Sequence, residues 1–236
     1  MAMTRHDGRM HDRHRPLAFE LDFQRGSLSS VLVSLGKTRV LCSVSVEERL
    51  PPWMRPGGGG WVTAEYAMLP GAGLERIRRE RGGVSGRSQE IQRLIGRSLR
   101  AVTDLRALGE RTLTVDCDVI DADGGTRTAA ITGAAVALWR AAARLRLDAQ
   151  PMRRLVSAVS VGVVDGHPVL DLDYREDSGA DVDMNVVMTA EGEFVELQAT
   201  AEQRSFPAQH LDEMLRLAKG GIEVLLEAQK AAIEVA

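Results

Sequence analysis

Residues 112–147 read TLTVDCDVIDADGGTRTAAITGAAVALWRAAARLRL, and three kinds of order follow one another along them. From Thr112 to Ile120, Val115, Cys117 and Val119 alternate with Asp116 and Asp118, the period-two pattern of a strand buried on one face. Asp121-Ala-Asp-Gly-Gly125 interrupts that pattern with two adjacent glycines. From Thr126 to Leu147 the chain is alanine-rich and apolar nearly all round, which predicts a central buried helix. Such a helix needs apolar layers around it, and the flanking sequence supplies them.

Upstream, alternation predicts strands over 17–23, 28–35 and 38–46, with turns at Arg25-Gly26 and Gly36-Lys37, and a fourth strand over Trp61 to Ala67. The period then changes. Ile91, Leu94, Ile95, Leu99 and Val102 recur at helical spacing, with Arg93, Arg97 and Arg100 on the opposite face. Downstream, strands are expected near 155–164, 168–173, 184–189 and 194–199, followed by a long helix from about 208 to 235. This is an α+β plan of two similar β-meander-plus-helix halves. No linker divides them, so residues 1–236 are expected to form a single domain.

With 236 residues, 44% hydrophobic and 27% charged, the chain excludes disorder and coiled coil, and it can bury a core without staples. Cys42 and Cys117 each lie in an alternating apolar run, where a small buried hydrophobe in a reducing compartment is expected. No 18-residue apolar run and no signal-type apolar segment occurs, so no membrane association is expected. Net charge is only −3, but it is segregated: eight arginines lie between Arg76 and Arg100, and ten acids between Asp171 and Glu202. Of 30 basic residues 27 are arginine. Arginine's planar fork suits phosphate, although arginine-rich codon usage yields the same count.

Three elements carry candidate chemistry. At Asp123-Gly124-Gly125-Thr126-Arg127-Thr128, glycines allow close backbone approach, a helix N-terminus offers free amides, and Thr126 and Arg127 add a hydroxyl and a guanidinium. This makes an anion site, or an ordinary glycine turn with Thr126 as helix cap. Arg87, at the start of the arginine-striped helix, completes a phosphate enclosure if the fold brings it to that corner; otherwise it is a surface residue. In Glu176-Asp177-Ser178-Gly179-Ala180-Asp181-Val182-Asp183-Met184-Asn185, carboxylates suit Mg²⁺ beside phosphate oxygens, or form an acidic surface loop. Extended chain would hold Asp177 and Asp183 roughly 20 Å apart, so a joint role requires a turn at Ser178-Gly179. Three of the five histidines lie in the first 14 residues, and Walker, serine-elbow and zinc motifs are missing. With nine aromatics, any RNA grip must come from backbone charge.

Across nearly its full length the chain resembles the bacterial ribonuclease PH family. The matching residues include Arg5-x-Asp7-Gly8-Arg9, Arg15-Pro16, Gly60-Trp61-Val62-Thr63-Ala64-Glu65-Tyr66, Glu90-Ile91-Gln92-Arg93-Leu94-Ile95-Gly96-Arg97-Ser98-Leu99-Arg100, Asp123-Gly124-Gly125-Thr126-Arg127-Thr128, Glu176-Asp177-Ser178 and Asp183-Met184-Asn185. The resemblance implies the ribonuclease PH-like (ribosomal protein S5 domain 2-like) fold. It also implies a cytoplasmic, phosphate-dependent 3′ to 5′ exoribonuclease that trims precursor tRNA and other RNA 3′ ends, releases nucleoside diphosphates and runs reversibly as a nucleotidyltransferase. It implies a homohexamer built as a trimer of dimers, inorganic phosphate bound by Arg87, Gly125, Thr126 and Arg127, and Mg²⁺ on catalytic Asp177 and Asp183. Members usually carry arginine after Met-Leu-Pro, where this chain has Gly71. Arg76, Arg78 and Arg79 are therefore the expected RNA contacts in that loop, with Arg93, Arg97 and Arg100 on the helix. A non-catalytic, RNA-channelling ring subunit of an exosome-like assembly is the alternative. Retention of Arg87, Arg127, Asp177 and Asp183 argues against it.

Overall fold

Alternation along the first three strands pairs them into a meander. β1 (Leu17–Leu21), β2 (Ser29–Leu35) and β3 (Thr38–Glu47) run antiparallel, with Val33 opposite Val40 and Val31 opposite Cys42. The structure is a computed structural model and describes residues 5–202 and 205–235. The next strand, β4 (Trp61–Met68), does not join β3. Instead β5 (Thr112–Asp121) lies between them, antiparallel to β3 and parallel to β4. Parallel neighbours need a crossover connection, and it contains α1 (Gly86–Arg100) and the one-turn α2 (Leu105–Leu108). The α+β plan stands, and the parallel edge corrects the expected meander of this half. Alternation reports which face of a strand is buried and is silent about its neighbour.

The second half forms an antiparallel sheet in the order β7-β6-β8-β9, from β6 (Val156–Val164), β7 (His167–Leu170), β8 (Val182–Thr189) and β9 (Phe194–Ala201). The strand expected to reach residue 173 stops at Leu170. Asp171, at φ +53°, and Asp173, whose carboxylate caps Glu176 N–H, turn the chain into α4 (Tyr174–Asp177).

Between the sheets lies α3 (Thr126–Arg144), with Ala130, Ile131, Ala134, Ala135 and Leu138 all inaccessible to water. It packs on β2 and β3 on one side and on β6 and α5 (Ala208–Glu234) on the other. Small residues let it come close. A Cβ at Gly133 would stand 2.6 Å from Val33 Cγ1 and 3.0 Å from Cys42 Sγ. Polar stitches then fix the second half to the helix: Ala158 N–H donates to Thr132 Oγ1 at 3.2 Å, and buried Gln229 donates to the carbonyls of Thr132 and Val156. No helix among the described residues is long and apolar enough to cross a membrane.

Candidate active site

The glycine corner owes its shape to two successive left-handed residues, Gly124 at φ +73° and Gly125 at φ +64°. A side chain at either position would be strained. At Gly124 it would also stand 2.6 Å from Leu172 O and from the carbonyl carbon of Asp173, so the corner is pressed against the segment leading into α4. Gly125, not Thr126, is the cap of α3, and no side chain covers its first amides. Thr126 is the first helical residue, and its hydroxyl is bonded to the Tyr66 hydroxyl at 2.8 Å. The helix therefore begins without a side-chain cap, and its first residues line a cleft of about 1000 Å³.

Arg87, Gly125, Thr126, Arg127, Asp177 and Asp183 all line that cleft. Arg87 comes from the first turn of α1, whose start is fixed by Ser85 capping Ser88 N–H. Arg127 donates to Gln198 Oε1 at 3.2 Å, and Gln198 donates in turn to Glu90 at 3.0 Å, joining α3, β9 and α1. The turn required at Ser178-Gly179 is present. Ser178 N–H bonds to Tyr174 O and Gly179 N–H to Glu176 O, which folds Asp177 back toward the start of β8 and Asp183.

Burial raises the Asp177 carboxyl above its usual range, opposed by the positive charges of Arg87, Arg127 and Arg15. Asp183 is pushed up to about 6, first by burial and then by the charge of Asp177, with Arg127 and the Asn185 amide pulling the other way. Two buried carboxyl groups, the second raised further by the charge of the first, are hard oxygen donors that a divalent cation would favour in their ionised form. His6, Asp173 and Glu176 also bring ligand atoms within 4.8 Å of one another. Their capacity is spent, however: Arg5 takes both Glu176 oxygens, and His6 Nε2 lies 2.6 Å from Asp173.

The six arginines expected to grip RNA lie outside the cleft lining. Arg76, Arg78 and Arg79 are exposed in a segment at its lip, where Leu74, Glu75 and Ile77 form part of the wall. Arg93 is exposed, and Arg97 pairs with Glu196 on β9. Arg100 corrects the expectation of a three-arginine solvent face. Its guanidinium folds over the Trp61 ring at 4.4 Å and donates to Val62 O at 2.8 Å. The cleft takes in Asn185 from the acidic stretch, and it also contains residues that sequence reasoning missed, namely Tyr174 and Glu202, with Tyr66 beneath it. The Asp173…Glu176 capping box was the readable signal for α4; Tyr66 had none, because it sits among the buried alternating residues of β4.

The model of the 3′ exoribonuclease family, domain 1, matches residues 13–143, and that of domain 2 matches residues 154–221. Ribonuclease PH of Methylobacterium radiotolerans is 58% identical over 228 residues, covering 94% of this chain and 96% of the relative. Ribonuclease PH of Bacillus subtilis is 52% identical over 236 residues, covering 97% and 96%. Among solved structures, rice Rrp46 superposes with a TM-score of 0.81 at 16% identity, covering 98% of this chain and all of that one. The Archaeoglobus fulgidus exosome with RNA bound to the active site gives 0.79 at 24%, covering 94% and 91%. Those two likenesses concern the fold.

Proposed function

The chain belongs to the ribonuclease PH family of 3′ exoribonucleases, and from that premise we propose how its cleft carries the reaction. It is a phosphorolytic exoribonuclease and tRNA nucleotidyltransferase. Inorganic phosphate is held by Arg87, Arg127 and the uncapped amides at Gly125 and Thr126, a preorganised anion site of guanidinium forks and a helix N-terminus. A phosphate oxygen attacks the last phosphodiester phosphorus of the RNA. The bond to the neighbouring 3′ oxygen breaks, and that oxygen takes a proton as it leaves. A nucleoside diphosphate and an RNA one residue shorter result. In reverse the same site adds a nucleotide.

Asp177 and Asp183 are the residues that would hold Mg²⁺. Bound there, Mg²⁺ supplies positive charge to phosphoryl oxygens. The chain's own contribution is positioning and electrostatics, which supply most of the acceleration in phosphoryl transfer. The observation that carries this reading is the convergence of Arg87, the Gly124–Arg127 corner and the Asp177/Asp183 pair on one cleft, from elements up to about a hundred residues apart in sequence. A non-catalytic channelling subunit would have no use for that combination. The substrates are RNA 3′ ends, with tRNA precursors foremost, and the cytoplasm is the compartment they imply.

The test is an RNA with an unpaired 3′ end incubated with and without inorganic phosphate. Shortening that requires phosphate and yields nucleoside diphosphates is expected. Nucleoside monophosphates released in phosphate-free buffer would falsify the reading.

A further inference from the structure

The arginine-rich segment 5–15 has no part in the steps above, yet it reaches the reaction centre from behind. Arg15 is only 5% exposed, and its fork faces two ways. Toward the second half, Nε donates to Asp171 Oδ2 at 2.9 Å and Nη2 to Oδ1 at 2.6 Å, while the backbone N–H adds 2.8 Å to Oδ2. Toward the first half, Nη1 donates to Asp123 O and Nη2 to Gly124 O at 3.4 Å. Thr38 Oγ1 donates to the same Gly124 carbonyl at 2.7 Å and accepts Asp123 N–H.

Those two carbonyls decide where the N–H groups of Gly124 and Gly125 aim, the second being one of the two amides assigned to phosphate. A trans peptide is planar, with C=O and N–H on opposite edges, so holding the carbonyls of Asp123 and Gly124 toward Arg15 turns the N–H groups of Gly124 and Gly125 away from it. At the other end of the bridge, Asp171 is fully buried and left-handed, with its amide on Ser160 O at 2.7 Å. It stands six residues before Asp177. Arg5 and Arg9 donate to its carbonyl at 2.8 and 3.0 Å, and Arg5 also clamps Glu176 next to Asp177.

We propose that the Arg15–Asp171 pair is a positioning device that sets the amide edge of the glycine corner relative to Asp177, and thereby governs affinity for phosphate and not for RNA. This rests on the corner being the phosphate site. Lysine cannot replace the arginine, because one ammonium point cannot bond two carboxylate oxygens and two carbonyls at once.

The full chain is assayed as Arg15→Lys, Arg15→Ala, Asp171→Asn and, as a control, Arg127→Ala, with saturation curves for phosphate and for RNA. Asparagine keeps the shape of Asp171 and tolerates its left-handed backbone, so that variant carries the test if the alanine variant does not fold. Arg15→Lys and Asp171→Asn are expected to raise the phosphate KM about tenfold or more, the range for supporting residues around a reactive site, while the RNA KM stays within about twofold. Low-millimolar guanidinium ion is expected to recover part of the phosphate affinity of Arg15→Ala. A merely structural role would lower thermal stability or the active fraction and leave the phosphate KM unchanged, and that result overturns the proposal, as does an equal rise in both KM values. If Arg127→Ala raises the phosphate KM and Arg15→Lys does not, only the positioning role falls. If neither does, the phosphate corner itself is misread and both fall together.

Discussion

Asp183 stands where burial and the charge of Asp177 both work against its ionisation, with its carboxyl raised to about 6. A divalent cation relieves both penalties at once, because it is the partner that a desolvated carboxylate pair lacks. Asp177→Asn and Asp183→Asn are therefore expected to keep the fold and RNA affinity while lowering the chemical rate about 100-fold or more, the scale seen when a preorganised electrostatic group is removed. Mg²⁺ titrations of the single-turnover rate, together with calorimetry of Mg²⁺ binding without RNA, check this. Wild-type rates and Mg²⁺ affinity in both variants would return the acids to a surface loop. At this scale the sequence was informative where chemistry is local: two glycines before a small-residue helix, or two aspartates on either side of Ser178-Gly179. It was silent about Arg15, whose carboxylate partner lies 156 residues away.

Among the elements, α3 is the one whose position fixes the others, and it lies as close to the first sheet as its glycine permits. Gly133→Ala would drive a methyl group into Val33, a buried β-branched side chain with no room to yield. Overpacking of this kind destabilises by about 1 to 3 kcal/mol, so a lower denaturation midpoint with an unchanged slope is expected in urea. An unchanged midpoint would show that the helix can shift at no loss. The long elements were legible because burial imposes a period on them: two along β3 and β5, and apolar all round on α3. The short helices α2 and α4 are too brief for any period to register and depend on caps at Asp104 and Asp173. The parallel β4–β5 edge was illegible for another reason, since which strands pair is decided by the crossover and not by either strand.

For the whole molecule, we propose that the halves fold as one unit and that six copies assemble as a trimer of dimers. A single chain of net charge −3 has little long-range attraction for RNA. Arg76, Arg78 and Arg79, exposed at the lip of the cleft and without an ion pair among the described residues, become effective when a ring brings several sets together. Each phosphate contact on a single strand contributes about −0.7 to the slope of log affinity against log salt. Changing all three to alanine is expected to weaken tRNA binding and flatten that slope, while leaving turnover of a short oligonucleotide intact. Light scattering gives the mass of the assembly, and salt titration gives the slope. A fully active monomer would sink the ring, and an unchanged slope would leave the three arginines a solvated surface.

The bridge from Arg5 to Glu176 spans 171 positions, and that separation sets an order of events during biosynthesis. At roughly 5 to 20 residues per second, the N-terminal arginines wait about 10 to 30 s on the ribosome before their carboxylate is made. Asp177 follows Glu176 immediately. The nascent chain therefore acquires the acid proposed for the metal site at the same moment as the partner that latches Arg5 in place, and a truncated product that stops short of residue 171 has neither.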